Sequence, residues 1–158
     1  MIRSAELDEG MHDTAGMSGP LLKTVDAISV PVPSLAAGLE FYHNELGHEL
    51  LWRHDQLGQA PLRLPGGDTE LVLATRQRYE PNWLVDSADE ASARIIEAGG
   101  RVVTEPFDIP VGRVAVVADP FGNELVLIDL SKGSYRTDAE GSVTGISSDT
   151  IHGTDVAP

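Results

Sequence analysis

Carboxylates are the side chains of this sequence best suited to chemistry, and two of them hold equivalent places in a repeat. Glu70 and Glu124 each begin the tetrapeptide Glu-Leu-Val-Leu, and the two copies lie 54 positions apart. A third glutamate, Glu80, precedes Pro81 and Asn82. A carboxylate held in an apolar pocket can act as a general base or bind a cationic group. These three glutamates are therefore the first candidates for a functional site.

A turn precedes each copy of the tetrapeptide. The turns contain Pro65-Gly66-Gly67 and Pro120-Phe121-Gly122, in which proline presets φ and glycine supplies the left-handed residue. The apolar residues that follow are too few for a surface helix and are typical of a buried strand. A repeat of about fifty residues indicates one structural unit made twice.

Two serines are predicted to begin the helices of these units. Ser34 precedes an apolar stripe at helical spacing that runs to about Leu46. Ser87 and Glu90 form a capping box, and the helix after it runs to Ala98. The serines lie 53 positions apart, which agrees with the spacing of the repeated strands. The pattern predicts strands near 23–31, 47–54, 61–64 and 70–75, and again near 80–85, 101–105, 112–118 and 123–128. Each unit therefore has the order β-α-β-β-β.

The remaining sequence bounds the domain and its partners. Residues 1–20 are predicted to be a disordered leader, residues 21–130 a single domain with modules at about 23–76 and 79–130, and residues 131–158 a polar tail. Within the tail, Tyr135–Gly145 is a candidate hairpin, and the last ten residues are expected to be mobile.

A formal net charge of −14 argues against nucleic acid and membrane surfaces as partners. Without cysteine, a secretory signal or a membrane-length apolar run, we expect a cytoplasmic protein.

Three stretches resemble one known superfamily. They are 25–34 (Val-Asp-Ala-Ile-Ser-Val-Pro-Val-Pro-Ser), Phe41-Tyr42 followed by Leu46-Gly47, and Asp119-Pro120-Phe121-Gly122-Asn123. In this order they are similar to the vicinal-oxygen-chelate superfamily, also called the glyoxalase/bleomycin-resistance/dioxygenase fold. The resemblance implies an α+β fold in which two βαβββ modules form an incomplete barrel around a cavity, with the helices on the outside. It also implies a homodimer.

The resemblance assigns four metal-ligand slots, which this sequence does not fill with ligands. The slots fall on Ala27, Val72, Glu80 and Val126. A divalent metal needs several imidazole nitrogens or carboxylate oxygens at one point, and one glutamate among aliphatic residues cannot supply them. We therefore expect no metal and no cofactor, and the metal-dependent activities of the superfamily are not expected here.

Alternation along the strands extends the slots to further cavity residues. If the slot residues face the cavity, then Ser29, Glu70, Asn82, Glu124 and Ile128 face it too. Glu70 and Glu124 also begin their strands, and the favoured interpretation places them at the rim in contact with solvent. Glu80 is either desolvated in the pocket, where it could be a general base, or held outside by Pro81.

Two other side chains are candidates for ligand binding. Trp52 is either a core residue or a wall on which a flat ligand stacks. Arg113 either pairs with a pocket carboxylate or a ligand anion, or is solvated at a strand edge. His43 and His48 do not share a helical face, which favours ordinary surface roles.

The leading functional hypothesis is a metal-independent small-molecule-binding protein that sequesters an antibiotic-like or cationic/aromatic ligand. It resembles the bleomycin-resistance branch, and it needs only an apolar cleft with a few fixed polar groups. The alternative is a cofactorless isomerase, epimerase or lyase. In that case Glu80 would transfer the proton and Asn82 would orient a substrate oxygen.

Overall fold

A computed structural model describes residues 19–148. The expected leader therefore lies outside these residues except for its last two positions, and the expected mobile C-terminus lies outside them entirely. The strands are β1 (Thr24–Pro31), β2 (Gln59–Arg63), β3 (Glu70–Ala74), β4 (Glu80–Leu84), β5 (Arg101–Ile109), β6 (Gly112–Ala118), β7 (Glu124–Asp129), β8 (Ser134–Thr137) and β9 (Val143–Ser147). The helices are α1 (Leu35–Leu39), which continues as a π-helical turn over Glu40–Glu45, and α2 (Ala88–Glu97).

Seven strands form one curled, open sheet whose order shows the internal repeat. The order is β2-β3-β1-β4-β7-β6-β5. Strand β1 pairs antiparallel with β4 at the centre. On the two sides, β1 pairs parallel with β3 and β4 pairs parallel with β7. This confirms the predicted α+β fold of two modules around an incomplete barrel.

The predicted helix starts are confirmed by their caps. The Ser34 hydroxyl accepts a hydrogen bond from the Ala37 amide at 3.1 Å, and the Ser87 hydroxyl accepts one from the Glu90 amide at 3.1 Å. The helical segment after Ser34 closes with Gly47 at a φ of 86°, as expected for a left-handed residue at a helix end.

One predicted strand is wrong. The segment 47–54 makes only isolated bridges to the second strand, at Leu50–Leu62 and His54–Gln59. The Leu51 amide donates to the Pro61 carbonyl at 2.9 Å, but proline has no N–H to return the bond. The ladder is interrupted at that point, so this segment lies along β2 without becoming a full strand.

The two faces of the sheet have different roles. On one face, α1 packs on a core that includes Leu62 and Leu73, and α2 packs on one that includes Val117 and Leu127. The residues that alternate with them open onto a cavity on the other face. The strands β8 and β9 form a separate hairpin that reaches this cavity. None of the helices in residues 19–148 has the length and hydropathy needed to cross a bilayer.

Candidate functional site

The cavity on the concave face has a volume of about 480 Å³ and a largely apolar wall. Its sheet side is built from alternate residues of the central strands, as the sequence predicts. The cavity-lining residues of the sheet are Asp26, Ala27, Ser29, Gln59, Glu70, Val72, Asn82, Phe107, Ile109, Val114, Val126 and Ile128. The other walls come from Trp52, Leu57, Arg76, Gln77, Pro110, Val111, Leu130 and residues 133–135.

Glu70 lies in the cavity wall, although the favoured interpretation of the sequence placed it at a solvated rim. Its backbone pairs with Ala27 on β1. Burial, reinforced by the negative charge of Asp26 and opposed by the positive charge of Arg63, raises the pKa of Glu70 to about 7. Arg63 gives little direct relief, because its guanidinium donates to Glu49 at 2.8 Å.

Asp26 is a cavity residue that strict strand alternation missed. The register between β1 and β4 shifts between Val25 and Ala27, which makes Asp26 the extra residue of a bulge. A bulge re-aims a side chain that regular alternation would turn away, and Asp26 lines the cavity beside Glu70. Burial also raises the pKa of Asp26. Within residues 19–148, neither carboxylate accepts a hydrogen bond or forms a close ion pair.

A short polar chain crosses the sheet side of the cavity. The Asn82 side-chain amide donates to the Ser29 hydroxyl at 3.2 Å, and that hydroxyl donates to the Gln77 side-chain oxygen at 3.2 Å. Ser29 is only 1% exposed, so these bonds satisfy a buried hydroxyl. The second N–H of Asn82 remains available to a bound molecule.

Glu80 and Glu124 lie outside the cavity lining. For Glu124 this agrees with the favoured position at a solvated rim, and for Glu80 it agrees with the alternative outside the pocket. Both are held by Arg78, whose guanidinium is 2.8 Å from the Glu124 carboxylate and 3.7 Å from that of Glu80. Glu80 keeps a quarter of its side chain exposed. The physical reason is a nearby cation that draws both carboxylates toward the surface, so the structure does not show Glu80 desolvated among aliphatic residues.

Arg113 also lies away from the cavity. Its guanidinium pairs with Asp89 and Asp108 at 2.8 and 2.9 Å on the surface. It therefore pairs with surface carboxylates and with none in the cavity. Trp52 does line the cavity, in contact with Tyr135 of the hairpin.

The four slots that could hold a metal do not fit one. Ala27, Val72 and Val126 line the cavity with aliphatic side chains, and Glu80 is engaged by Arg78. In the described part of the chain, no three histidine, aspartate or glutamate side chains converge where a metal could bind.

The comparisons with known proteins agree with this architecture. The sequence profile described as Glyoxalase/Bleomycin resistance protein/Dioxygenase superfamily matches residues 24–127. The chain belongs to this superfamily.

Curated relatives share part of the sequence. CFP32 of Mycobacterium bovis, named as a candidate glyoxylase, is 36% identical over 98 residues, and the match covers 57% of this chain and 37% of that protein. The anthracycline biosynthesis protein DauV of Streptomyces sp. strain C5 is 34% identical over 74 residues, covering 44% of this chain and 26% of DauV. The chain thus spans well under half the length of these relatives.

Solved structures share the fold at low identity. The methylmalonyl-CoA epimerase of Mycobacterium tuberculosis aligns with a TM-score of 0.57 and 20% identity, over 75% of this chain and 95% of that one. A variant methylmalonyl-CoA epimerase of Streptomyces coelicolor, in complex with 2-nitronate-propionyl-CoA, aligns with a TM-score of 0.54 and 24% identity, over 68% and 97%. At this identity the likeness extends to the fold.

Proposed function

We propose that this protein binds a small organic molecule in the cavity, with a cationic group of the ligand against Asp26 and Glu70 and its apolar body against the aliphatic wall. The cavity volume of about 480 Å³ lies within the range of about 300–1,000 Å³ that small-molecule sites occupy. The proposed ligand class is cationic and aromatic, as in a sequestering protein.

One observation carries the proposal. Two partly buried carboxylates face the cavity without a hydrogen bond or close ion pair in residues 19–148. A charge that loses part of its hydration without gaining a partner costs free energy, and no neighbouring group in these residues offsets that cost directly. A ligand ammonium or amidinium group would supply the missing partner, which makes the site selective for cations over neutral or anionic analogues.

Binding should depend on pH because of Glu70. Its pKa is about 7 in the free protein, so part of the population holds a proton there at neutral pH. A cation favours the ionised form and must displace that proton. Affinity for a cation should therefore rise with pH through about 7, and calorimetry in buffers of different ionisation enthalpy should record proton release.

The test uses proflavine, a planar aromatic cation, as the probe. Glu70→Gln and Asp26→Asn should each weaken its binding by about tenfold or more, because each removes a partly desolvated charge partner of the cation. Glu124→Gln is the matched control, since it alters the equivalent position of the repeat outside the cavity. Equal affinity in the wild type and in a Glu70→Gln/Asp26→Asn double variant would refute the cationic site.

A second candidate function is proton transfer at carbon. The pKa of Glu70 near 7 suits a general base at physiological pH, and similarity to methylmalonyl-CoA epimerases supports this class without identifying a substrate. Glu70 would take a proton next to a carbonyl group, and the free N–H of Asn82 would face the developing oxyanion. This role moves the proposed base from Glu80 to Glu70.

Exchange with solvent deuterium distinguishes the two functions. Acyl thioesters with an acidic α-carbon proton are incubated with the protein in heavy water and followed by NMR. Catalysed exchange that is lost in Glu70→Gln and retained in Glu80→Gln would support the enzyme. No exchange with the wild type over such a panel would support the binding protein.

A further inference from the structure

The C-terminal hairpin forms one wall of the cavity, although it lies outside the part of the chain that the superfamily profile matches. The profile ends at residue 127, whereas Gly133, Ser134 and Tyr135 line the cavity. Neither β8 nor β9 joins the seven-stranded sheet. An isolated two-stranded hairpin is marginally stable in water, so its position depends on the contacts it makes with the rest of the domain.

The base of the hairpin is fastened to the turn between β5 and β6. The Lys132 amide donates to the Val111 carbonyl at 2.9 Å, and its ammonium group lies 2.9 Å from the Asp108 carboxylate. Immediately before it, the Ser131 hydroxyl donates to Asp129 at 2.7 Å. These bonds fix where the hairpin leaves the sheet.

The far end of the hairpin is fastened to the segment that carries Trp52. The Arg53 amide donates to the Gly141 carbonyl at 2.9 Å, and the Val143 amide donates to the Arg53 carbonyl at 3.4 Å. Between these attachments, the ring centroids of Tyr135 and Trp52 lie 4.5 Å apart, and the ring planes make an angle of 50°. The hairpin therefore spans the cavity from one fixed point to another.

We infer that the hairpin completes the ligand site within the same chain, and that Tyr135 and Trp52 form an aromatic subsite for a planar ring of the ligand. This inference rests on the proposed function and adds to it the shape of the ligand. Both rings line the cavity and are partly exposed, and aromatic side chains favour offset or edge-to-face contact with another ring. The carboxylates supply selection by charge, and the aromatic subsite supplies selection by planarity.

The subsite also couples binding to the hairpin. A planar ligand against Tyr135 adds contacts that hold the hairpin against the rest of the domain. Bound ligand should therefore slow amide hydrogen exchange in residues 133–147. The slowing should be smaller elsewhere in the sheet, whose strands are already held by their ladders.

The test compares a planar and a non-planar cation on full-length variants. Tyr135→Ala should weaken proflavine binding by about tenfold and leave the affinity for cyclohexylammonium within about twofold of the wild type. Tyr135→Phe should retain proflavine affinity because it keeps the ring. Thr137→Ala is the matched control, since Thr137 lies on the same strand, is exposed and is outside the cavity lining.

The outcomes separate this inference from the proposed function. If Tyr135→Ala binds both cations as the wild type does, the aromatic subsite is wrong, while carboxylate-dependent binding still stands. If Tyr135→Ala weakens both cations equally, Tyr135 only supports the wall and planarity is not selected, which also overturns the inference. If the wild type binds neither cation, the proposed function fails and the inference fails with it.

Discussion

Glu70 and Glu124 hold the same place in the sequence repeat, yet the fold gives them different surroundings. Glu70 faces the cavity beside Asp26, and Glu124 pairs with Arg78 at 2.8 Å. The difference comes from neighbours that the repeat does not share. Glu124 lies beside Arg78, a cation in the loop before β4. Glu70 lies beside Asp26, a second carboxylate placed by the bulge in β1.

The free energy of unfolding of the ligand-free protein should depend on pH because the fold disfavours the ionised form of Glu70. Its pKa is raised from 4.5 to about 7 by burial and then by Asp26, so the native state binds the proton more tightly than the unfolded chain does. The free energy of unfolding should therefore fall as pH rises from about 4.5 to about 7 and stay low above that. The full difference corresponds to roughly 3 kcal/mol, and partial solvent exposure reduces the expected effect to about 2 kcal/mol.

Glu70→Gln should remove this fall and stabilise the free protein by about 2 kcal/mol above pH 7. Urea unfolding at a series of pH values measures it. Glu124→Gln is the control and should leave the pH profile unchanged over that range. A wild-type unfolding free energy that is flat between about pH 4.5 and about pH 7 would show that Glu70 is solvated.

At the residue scale, the sequence correctly predicted which side chains of the regular strands face the cavity. It did not predict side chains whose position depends on a bulge or on a loop residue. Val72 and Val126 face the cavity, and Leu73 and Leu127 face the helices, because alternation follows from the backbone alone. Asp26 could not be predicted, since a bulge depends on how two distant strands pair. The position of Glu80 depended in the same way on where a loop arginine points.

At the scale of elements, one buried carboxylate links α2, β6 and β7. Asp129 is only 3% exposed. It accepts hydrogen bonds from the amides of Ala88 at 2.7 Å, Arg113 at 3.0 Å and Ser131 at 3.2 Å. The Ala88 amide is one of the unpaired donors at the start of α2, so Asp129 acts as a second cap beside Ser87. Sequence patterns identified the Ser87 cap because it is local, and missed Asp129 because its partner lies 41 positions away.

Asp129→Asn should therefore destabilise the protein by about 2–3 kcal/mol, because the new amide group turns a donor toward buried donors. Burial acts to raise the pKa of Asp129, but hydrogen bonds from Ala88, Ser131 and Arg113 outweigh it and hold the pKa below 3.8. Its contribution is therefore present above about pH 4 and is lost as the pH falls below that value.

Asp89→Asn is the control for this prediction, since Asp89 is an exposed partner of Arg113 and surface pairs contribute little. Chemical denaturation of the two variants at neutral pH gives the comparison. A loss of stability under about 0.5 kcal/mol in Asp129→Asn would contradict the prediction, because it would mean that the amides bonded to Asp129 easily find other acceptors.

At the scale of the whole molecule, the cavity is bounded by both modules and by the hairpin. The chain has the superfamily fold, but the residues at the four metal-ligand positions do not fit a metal. Ala27, Val72 and Val126 keep the cavity wall apolar, where ligands for a metal would make it polar. Function then depends on side chains beside the slots, chiefly Glu70 and Asp26.

Removal of metal should therefore leave the protein unchanged. Dialysis against EDTA should not shift Tm, because stabilisation by a bound ion disappears when that ion is removed. Elemental analysis of the purified protein is the companion measurement. About one zinc, nickel or iron ion per chain, with a lower Tm after dialysis, would contradict the prediction.

The two edges of the sheet are not equally covered, and this asymmetry bears on assembly. The segment 47–54 lies along β2 at one edge, whereas β5 is the last strand at the other. Val103 on β5 is 39% exposed, and Phe107, which also lines the cavity at this edge, is 44% exposed. Register shifts in β5 discourage another strand from pairing there. Side-chain packing against a second copy would cover these residues, and we propose a two-fold homodimer on that basis.

Light scattering at micromolar concentration should then give a mass of about twice 16.9 kDa. Val103→Glu should shift the protein toward the monomer, because a charge placed in an apolar contact is desolvated without a partner. Ile96→Glu is the matched control: Ile96 is 55% exposed on α2, on the opposite side of the sheet from the cavity. If the wild type has the monomer mass, the β5 edge remains open to solvent and the homodimer is wrong. If both variants dissociate the dimer equally, the interface involves the helices, and assembly does not depend on the β5 edge.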